Sequence, residues 1–441
     1  MKLSTELPEL ECVCRSLCEY FDVERIEKES KSCNFIQKQK KMTGMAFFCI
    51  CIMQGFAASL GTMCGGLKGF SIDMCEQSLN ERFTNKAVAF IKRMFSQMLE
   101  LEISKDVPLN FLSKFSGIII QDATTINLPA VMEPIFKGSG GNAGKSSVKV
   151  DFQMDIQGSM HQMELRAGAS SDNKLSVGFI KKGALYIRDL GYFNILILKI
   201  IIESGAYFLS RLKSNSAVYE DIKGKKTIDL YALSQKMAPN ATLQMEVFIG
   251  RRKYVPVLLI LQKLPAQVIA VKRERAKKDH HRRMTKMTKE QEMWLETNSY
   301  ITNIPGCWFD ALTIIKIYSI RWQIEIMFKA WKSIFKIGEV GKMNSNRVLC
   351  MLYGRLTWIL LQMKVLNVFK KNIYGVSQKE VSELRGFRQL EEHKNELMEA
   401  IKSGLSETWH ILIKKMFDLI QSFAIKRRRK KLALFYIIEF Q

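Results

Sequence analysis

The feature that most limits the folds open to this chain is a series of short strand patterns that starts near Phe115. Each pattern is an apolar run or an alternation of apolar and polar residues, and one helical pattern interrupts the series. The strands are predicted at Gly117–Gln121, Ser147–Ile156, His161–Ala167, Leu185–Asp189 and Tyr207–Leu212, and the helix at Phe193–Glu203. This order predicts a mixed α/β or α+β core organised around a sheet.

Two aspartates stand where strands of this series end. Asp122 follows the run Gly117–Gln121, and Asp189 is the last residue of the strand that begins at Leu185. An aspartate in such a place is most often a turn former or a helix cap. Carboxylates brought together by a fold are also the ligands that a hard cation requires. Taken singly, these two residues leave both interpretations open.

A second feature is the stretch Ile317–Lys336, whose spacing predicts one amphipathic helix. At about 100° per residue, four polar residues fall within an arc of roughly 60°: Tyr318, Arg321, Glu325 and Lys332. The apolar residues occupy the neighbouring side: Ile317, Ile320, Ile324, Met327, Phe328, Trp331 and Phe335. The helix is predicted to bury one side and to present a carboxylate between two cations beside it. An ordinary packed helix with surface ion pairs also fits this pattern.

The remaining patterns divide the chain into four parts. Apolar residues recur at three- and four-residue steps near both ends, whereas strand patterns return in between at Leu243–Ile249 and Tyr254–Leu261. The predicted parts are a helical N-terminal domain at 1–105, a core at 106–213 and 298–340, a β-rich segment at 214–297 and a helical C-terminal region at 341–441.

Two N-terminal stretches carry specific expectations. Ser78–Met98 is predicted to be one helix with a basic face, which suits contact with DNA and plain solvation equally well. Met45–Leu60 is the most apolar run of the chain, but it is too short for a confident membrane span. A buried helix is therefore predicted there, and no membrane partner is expected.

Charge and cysteine content narrow the class of protein. The 441 residues include 67 Lys and Arg against 43 Asp and Glu, which gives a net charge of +24. Such an excess predicts attraction to a polyanion, although charge alone does not exclude a basic protein without that partner. Among the 10 cysteines, Cys12, Cys14 and Cys18 lack a second metal-ligand pair nearby. Free thiols in a reducing cytoplasm are predicted.

The spacing Y-x2-R-x3-E-x6-K, which starts at Tyr318, resembles the signature of the IS4 family of DDE transposases. Five further segments match in family order: EQSLNERF from Glu76, GIIIQDATTINLP from Gly117, YIRDLGYFN from Tyr186, YFLSRLKSN from Tyr207 and YITNIP from Tyr300. The resemblance implies a ribonuclease-H-like catalytic core with a β-rich insertion at 214–297. It also implies flanking helical domains: an N-terminal DNA-binding domain at 1–105 and a C-terminal region at 341–441 that is the candidate for dimerisation.

The resemblance also implies the site. Asp122 is expected to bridge two metal ions, and Asp189 and Glu325 to hold one ion each. The ions are expected to be Mg²⁺, with Mn²⁺ as a substitute, because two hard cations neutralise both the attacking and the leaving oxygen of a phosphodiester. Three residues match those that grip phosphates beside the scissile bond: Tyr318, Arg321 and Lys332. Their simpler role is to form surface ion pairs with Glu325, which stabilise a fold little.

Two further motifs bear on ligands. Some family members stack a tryptophan on a flipped base, but that position is Asn298 here, with Trp294 and Tyr300 nearby. The base-flipping residue and a hairpin intermediate therefore stay open. The segment GSGGNAGKSS has Ser139 where a phosphate-binding loop for ATP requires glycine, so no nucleotide cofactor is expected. The pair His280-His281 has no third zinc ligand nearby in the sequence.

The matches predict a transposase in the prokaryotic cytoplasm, associated with the nucleoid. It is expected to cut double-stranded DNA at the inverted-repeat ends of its own element and to join the 3′ hydroxyls to target DNA. Water is the first nucleophile and a DNA 3′ hydroxyl the later one. The family's paired-end complex implies a homodimer on DNA. Two alternatives stay open: a ribonuclease-H-like nuclease that does not transpose, and a DNA-binding protein whose catalysis has decayed.

Overall fold

The structure is a computed structural model, and it describes residues 8–37, 41–103, 114–141, 144–156, 158, 161–171, 180–214, 216–223, 226–250 and 254–426. These residues form two compact units. The helical unit contains the described residues of 8–103, 123–170 and 323–426, and the strand-rich unit contains those of 114–122 and 171–322. The chain therefore changes unit between the described residues 103 and 114, and again after Asp122, after Ser170 and after Trp322.

The described strands belong to a mixed sheet whose order differs from chain order. They are β1 (Ile118–Asn127), β2 (Ser147–Asp155), β3 (His161–Ala167), β4 (Leu185–Arg188), β5 (Tyr207–Arg211), β6 (Val218–Tyr219), β7 (Thr242–Ile249), β8 (Val255–Lys263) and β9 (Thr297–Thr302). In the strand-rich unit the order is β1-β4-β5-β9-β8-β7-β6, and in the helical unit it is β3-β2-β1. Strands β1, β4 and β5 are mutually parallel, whereas β5, β9, β8, β7 and β6 alternate in direction.

The helices account for most of the helical unit. The described helices are α1 (Pro8–Tyr20), α2 (Val23–Ser32), α3 (Gly44–Met53), α4 (Leu60–Lys68), α5 (Glu76–Asn80), α6 (Asn85–Glu100), α7 (Ile195–Glu203), α8 (Leu230–Lys236), α9 (Ala266–Arg283), α10 (Lys289–Glu296), α11 (Ala311–Ser319), α12 (Trp322–Ser333), α13 (Ser345–Ser377), α14 (Glu383–Glu392), α15 (Lys394–Ser403) and α16 (Ser406–Phe423). The mixed α/β class predicted from the sequence is confirmed, with helical N- and C-terminal regions.

The core of the strand-rich unit follows from its parallel strands. All four residues of β4 are buried, as expected for a strand that has neighbours on both sides. Its apolar residues join those of β5, β8, β9 and α7 in one buried cluster, which includes Tyr186, Phe208, Leu259, Ile301 and Leu198. Packing of α7 on this cluster fixes the parallel strands, and with them the edge at which β1 and β4 reach Asp122 and Asp189.

The core of the helical unit is α13, which packs against α6 and α3. It is long and apolar enough to cross a membrane, but 89% of its most apolar window is buried inside the protein, so it is a core helix. A Cβ added at Gly354 would lie 2.3 Å from the carbonyl oxygen of Cys51 in α3. Glycine is therefore required at this crossing, because any side chain would push the two helices apart.

Helices are present in the N-terminal region as predicted, but their bounds differ from the predicted ones. The buried helix predicted over Met45–Leu60 exists as α3, all ten of whose residues are buried, but it ends at Met53. The single helix predicted over Ser78–Met98 is wrong, since α5 ends at Asn80 and α6 begins at Asn85. The Thr84 hydroxyl accepts a hydrogen bond from the Ala87 amide and starts α6 anew.

The helix predicted over Ile317–Lys336 is also interrupted. The amides of Ile320 and Arg321 donate to the carbonyls three residues back, at 3.0 and 3.1 Å. This tightened turn ends α11 before α12 begins, and it separates Tyr318 and Arg321 from the helix that carries Glu325. The predicted packing side is confirmed, because every apolar residue assigned to it is buried.

Candidate active site on the strand-rich unit

The parallel strands bring the two aspartates to one edge of the sheet. In the register of β1, β4 and β5, Gln121 pairs with Arg188, and Arg188 pairs with Ser210. The next residues along the three strands are Asp122, Asp189 and Arg211. The carboxyl edge of parallel strands is where open α/β sheets bind their ligands. The prediction that Asp122 ends its strand is wrong, because β1 continues to Asn127.

Asp122 and Asp189 share one cationic neighbour, Arg321. Its Nη1 lies 3.7 Å from Asp122 Oδ2, and its Nε lies 3.8 Å from Asp189 Oδ1. The side chains are 17% exposed for Arg321, 22% for Asp122 and 40% for Asp189. At these distances the contacts are ionic and are longer than direct hydrogen bonds. The Arg321 guanidinium therefore contacts both carboxylates at long range, and solvent reaches all three side chains.

The donor set suits a hard divalent cation. Asp122 and Asp189 offer carboxylate oxygens, and they already face a single positive group together. In the part of the chain that the structure describes, no group of three or more His, Cys, Asp or Glu is close enough to hold a metal. The two aspartates therefore supply a partial site, to which further ligands must be added.

Tyr318 lies beside Arg321 but is enclosed rather than presented to solvent. It is 9% exposed, and its ring lies 4.9 Å from that of Tyr300, at 58° between planes. The Arg321 Cζ lies 6.0 Å from the Tyr318 ring centroid, at the outer limit of a cation–π contact. Burial raises the pKa of the Tyr318 phenol strongly, and the nearby Arg321 charge opposes this. Its hydroxyl has no hydrogen-bond partner among the described residues.

Glu325 and Lys332 belong to α12, on the helical unit. Glu325 is half-buried in the first turn of this helix, and Lys332 is exposed in the last turn. An acidic residue is favoured in the first turn and a basic one in the last turn by the helix dipole. The structure therefore brings Asp122, Asp189, Tyr318 and Arg321 together in the strand-rich unit and carries Glu325 and Lys332 on the other unit.

Sequence reasoning missed Arg211 as a candidate site residue. It lies in β5, beside Asp189 in register, and its Nη2 donates to Asn298 Oδ1 at 3.3 Å. The matched segment YFLSRLKSN contains this arginine, but only the pairing of β5 with β4 and β9 shows where it lies. Of the residues considered for base stacking, Trp294 packs against the apolar cluster and Tyr300 is buried.

The thiols and histidines set aside in the sequence stay outside the site. Cys12, Cys14 and Cys18 are free, as predicted, and burial raises the pKa of Cys14 to about 12. The ring of His280 lies 2.7 Å from the Thr285 hydroxyl, a local contact at the end of α9.

Comparisons with known proteins bear on the family to which the chain belongs. The family model described as "Transposase DDE domain" matches residues 113–361, more than half of the chain. A transposase of insertion sequence element IS1151 from Clostridium perfringens is 30% identical, over 95% of this chain and 94% of its own length. A transposase of IS231E from Bacillus thuringiensis subsp. finitimus is 28% identical, over 96% of this chain and 93% of its own. One of IS231F from Bacillus thuringiensis subsp. israelensis is also 28% identical, over 97% and 94%.

The matched region begins before Asp122 and ends after Lys332, so it covers every candidate site residue named above. The relatives cover almost the whole chain, including both helical ends. The resemblance read from the sequence motifs is thereby confirmed. The chain belongs to the DDE transposases, a family of enzymes.

Proposed function

We propose that this protein cuts the ends of its own insertion sequence and joins the freed 3′ hydroxyls to target DNA. The observation that carries the proposal is that Asp122 and Asp189 both contact Arg321, at the place where the parallel pairing of β1, β4 and β5 ends. DDE transposases typically use a divalent metal and act on the DNA of transposon ends. The aspartates have the charge, the exposure and the ligand chemistry for such a metal.

Asp122, Asp189 and Glu325 would hold two Mg²⁺ ions, for which Mn²⁺ is a substitute. The ions supply charge neutralisation on both oxygens of the phosphodiester and a more acidic bound water. Asp122 would be the ligand shared by both ions, and Asp189 and Glu325 would each hold one. Glu325 completes the carboxylate set, which on the strand-rich unit alone contains only two members.

Arg321, Tyr318 and Lys332 would orient the DNA. The guanidinium of Arg321 is a planar fork that matches the oxygens of a phosphate, and it already lies at the aspartates. A buried hydroxyl without a partner costs about 1–3 kcal/mol. A phosphate oxygen or a water next to Tyr318 would remove that cost. Lys332, exposed on α12, adds a point charge.

The proposal includes the setting of the reaction. The substrate is double-stranded DNA, attacked first by water and then by a 3′ hydroxyl. The enzyme acts as a homodimer on paired ends, with the N-terminal helices on DNA and the C-terminal region at the dimer contact. It works in the prokaryotic cytoplasm at the nucleoid, without a membrane or a nucleotide cofactor. The net charge of +24 supports binding to a polyanion.

The test is a cleavage and joining assay on a plasmid that carries the element with its own ends. Asp122→Asn, Asp189→Asn and Glu325→Gln should each abolish cutting in Mg²⁺ while retaining end binding. The control is Asp279→Asn, which changes an exposed aspartate of the strand-rich unit that pairs only locally with Arg282. Normal cutting by any of the three variants would remove that residue from the site. Cutting without joining by the wild type would favour the non-transposing nuclease.

A further inference from the structure

Two pairs of basic side chains lie side by side on the strand-rich unit. In the first pair, Lys263 and Arg273 both contact the carboxylate of Glu296, Lys263 at 2.6 Å. In the second pair, Arg211 and Lys272 both donate to Asn298 Oδ1, at 3.3 and 3.5 Å. The pairs are close in the chain, since Lys272 and Arg273 are adjacent in α9, and the acceptors Glu296 and Asn298 are two residues apart, at the end of α10 and in β9. The two differ in the charge of the shared acceptor.

The first pair is internally neutralised. Glu296 is 8% exposed, and the two cations hold the pKa of its carboxyl below its usual value although burial raises it. Lys263 is buried with it. Buried groups with complementary charge and short contacts need no ligand. This pair ties α9 to the end of β8 and the end of α10, and its role is structural.

The second pair has two positive charges and a neutral acceptor. Burial lowers the pKa of Lys272, and the charge of Arg211 lowers it further. Among the described residues, no carboxylate lies within ion-pair distance of Arg211 or Lys272. Both side chains are only half-buried, so solvent and ligands reach them. Two like charges held on one amide oxygen are unfavourable until an anion binds between them.

The amide itself is positioned for this task. Asn298 Nδ2 donates to Gln262 Oε1 at 3.2 Å, and this bond aims Oδ1 at the two cations. The residues face each other across β8 and β9 in register. Asn298 therefore gathers Arg211 and Lys272 without neutralising them, whereas Glu296 neutralises its pair.

The pair is close to the candidate metal ligands. Arg211 is beside Asp189 in the β4–β5 register, and it pairs with Tyr300 across β5 and β9. Its charge lowers the pKa of both Tyr300 and Tyr318, against the effect of burial. The pair thus lies on the same edge of the sheet as Asp122 and Asp189, displaced toward β9 and α9.

We propose that Arg211 and Lys272 bind one backbone phosphate of DNA next to the scissile one, and that Asn298 holds the two side chains in place. Arg supplies a fork for the phosphate oxygens and Lys a point charge. This inference rests on the proposed function, because the phosphate belongs to the DNA that the enzyme cuts. It assigns to α9 a role in holding DNA beside the active site.

The sharpest test converts the second pair into a copy of the first. Asn298→Asp is isosteric and places a carboxylate where Glu296 has one, so Arg211 and Lys272 become internally neutralised. The probe is a fluorescent duplex carrying the element's end, bound by the full chain in EDTA across a salt series. Each lost phosphate contact should reduce the slope of log K against log salt by about 0.9. Asn298→Asp, Arg211→Ala and Lys272→Ala should each show that reduction and bind several-fold more weakly at low salt.

Controls remove general effects of charge. Asn240→Asp makes the same chemical change at an exposed position of the same unit. Lys278→Ala removes one exposed cation of α9 that pairs with Glu274 at i,i+4. Both should retain the wild-type slope within about 0.3 units. An unchanged slope in Asn298→Asp, with the variant folded by its thermal midpoint, would overturn the inference even if the wild type cuts DNA. A wild type that neither binds nor cuts the duplex would instead refute the proposed function, and the inference with it.

Discussion

Lys364 in the helical unit and Lys272 in the strand-rich unit have a pKa that burial lowers, and both donate to neutral oxygens. Lys364 is 1% exposed and donates to the carbonyls of Leu99 and Leu101, at 3.2 and 2.7 Å, where α6 ends. Lys272 is half-buried and shares its acceptor with a second cation, Arg211. A helix end needs a donor, so Lys364 completes the fold. Two cations that share one neutral amide do not stabilise the fold in this way, so we infer that Lys272 serves to bind a ligand.

A side chain whose role is packing in the core provides the reference for the effect of a substitution on stability and on activity. Phe328 is 8% exposed and lies edge to face with Trp331, with ring centroids 5.2 Å apart. Phe328→Ala should lower the free energy of unfolding by about 3–5 kcal/mol, because it leaves a cavity. Urea denaturation measures this. Activity per folded molecule should not change; a stable but inactive variant would show that Phe328 serves the site.

The same substitution at the two lysines tests their different roles. Lys364→Ala leaves the partly buried carbonyls of Leu99 and Leu101 without this donor and should lower the free energy of unfolding by about 1–3 kcal/mol. Lys272→Ala should change it by less than about 0.5 kcal/mol, since its acceptor keeps other partners. Urea titrations of both variants provide the comparison. If Lys272→Ala were the more destabilising of the two, its charge would belong to the fold.

The pH dependence of stability sharpens the assignment of Lys364. Its pKa is about 7 in the folded protein, against 10.5 for a free lysine. Between these values the unfolded chain binds a proton that the native protein does not bind, so stability rises with pH. The slope from this group approaches about 1.4 kcal/mol per pH unit, and below pH 7 it vanishes.

Buried cysteines oppose this trend at higher pH. The pKa of Cys14 rises from 9.0 to about 12, so unfolding releases a proton in that range and stability falls. The measurement therefore compares wild type and Lys364→Met by urea denaturation between about pH 7 and 9. The free energy of unfolding of the wild type minus that of Lys364→Met should increase with pH. A difference that stays constant would contradict the lowered pKa of Lys364.

The effect on stability should also be small for Arg321, a cation whose carboxylate partners lie 3.7 and 3.8 Å away. Arg321→Ala should change the free energy of unfolding by only about 0–1 kcal/mol. Cleavage and joining should fall by about 100-fold or more, because the phosphate loses its alignment. Arg321→Lys keeps the charge without the fork and should fall in between. Early melting of Arg321→Ala, with normal cutting, would make this arginine structural.

Patterns local in the sequence predicted much of the fold. The alternation at Ser147–Ile156 and the run at His161–Ala167 give β2 and β3 almost to the residue, because apolar residues recur at every second position of these segments. Two helices that were predicted as continuous are interrupted by local hydrogen bonds, which the sequence pattern did not reveal. The cap at Thr84 and the tight turn at Ile320 each divide a stretch whose apolar spacing is continuous.

Those site residues that lie within recognisable sequence motifs could be predicted. Asp122, Asp189 and Arg321 could be named from their segments, and the structure places them together. Arg211 and Lys272 could not, because they meet only through the pairing of β5 with β9 and the packing of a helix that the β-rich pattern did not suggest. The proposed binding of an anion by Arg211 and Lys272 depends on the neutral amide of Asn298, because a carboxylate at that position would neutralise the two cations.

The position of β9 has a consequence for synthesis. This strand lies between β5 and β8 and is the last described strand to be translated. Until it emerges, β5 and the apolar β8 each present an open edge, and at 5–20 residues per second the wait from β5 is on the order of ten seconds. Open apolar edges pair with other chains. Nascent molecules crowded on one messenger are therefore most exposed to aggregation just before residues 297–302 leave the ribosome, and slower translation lengthens that interval.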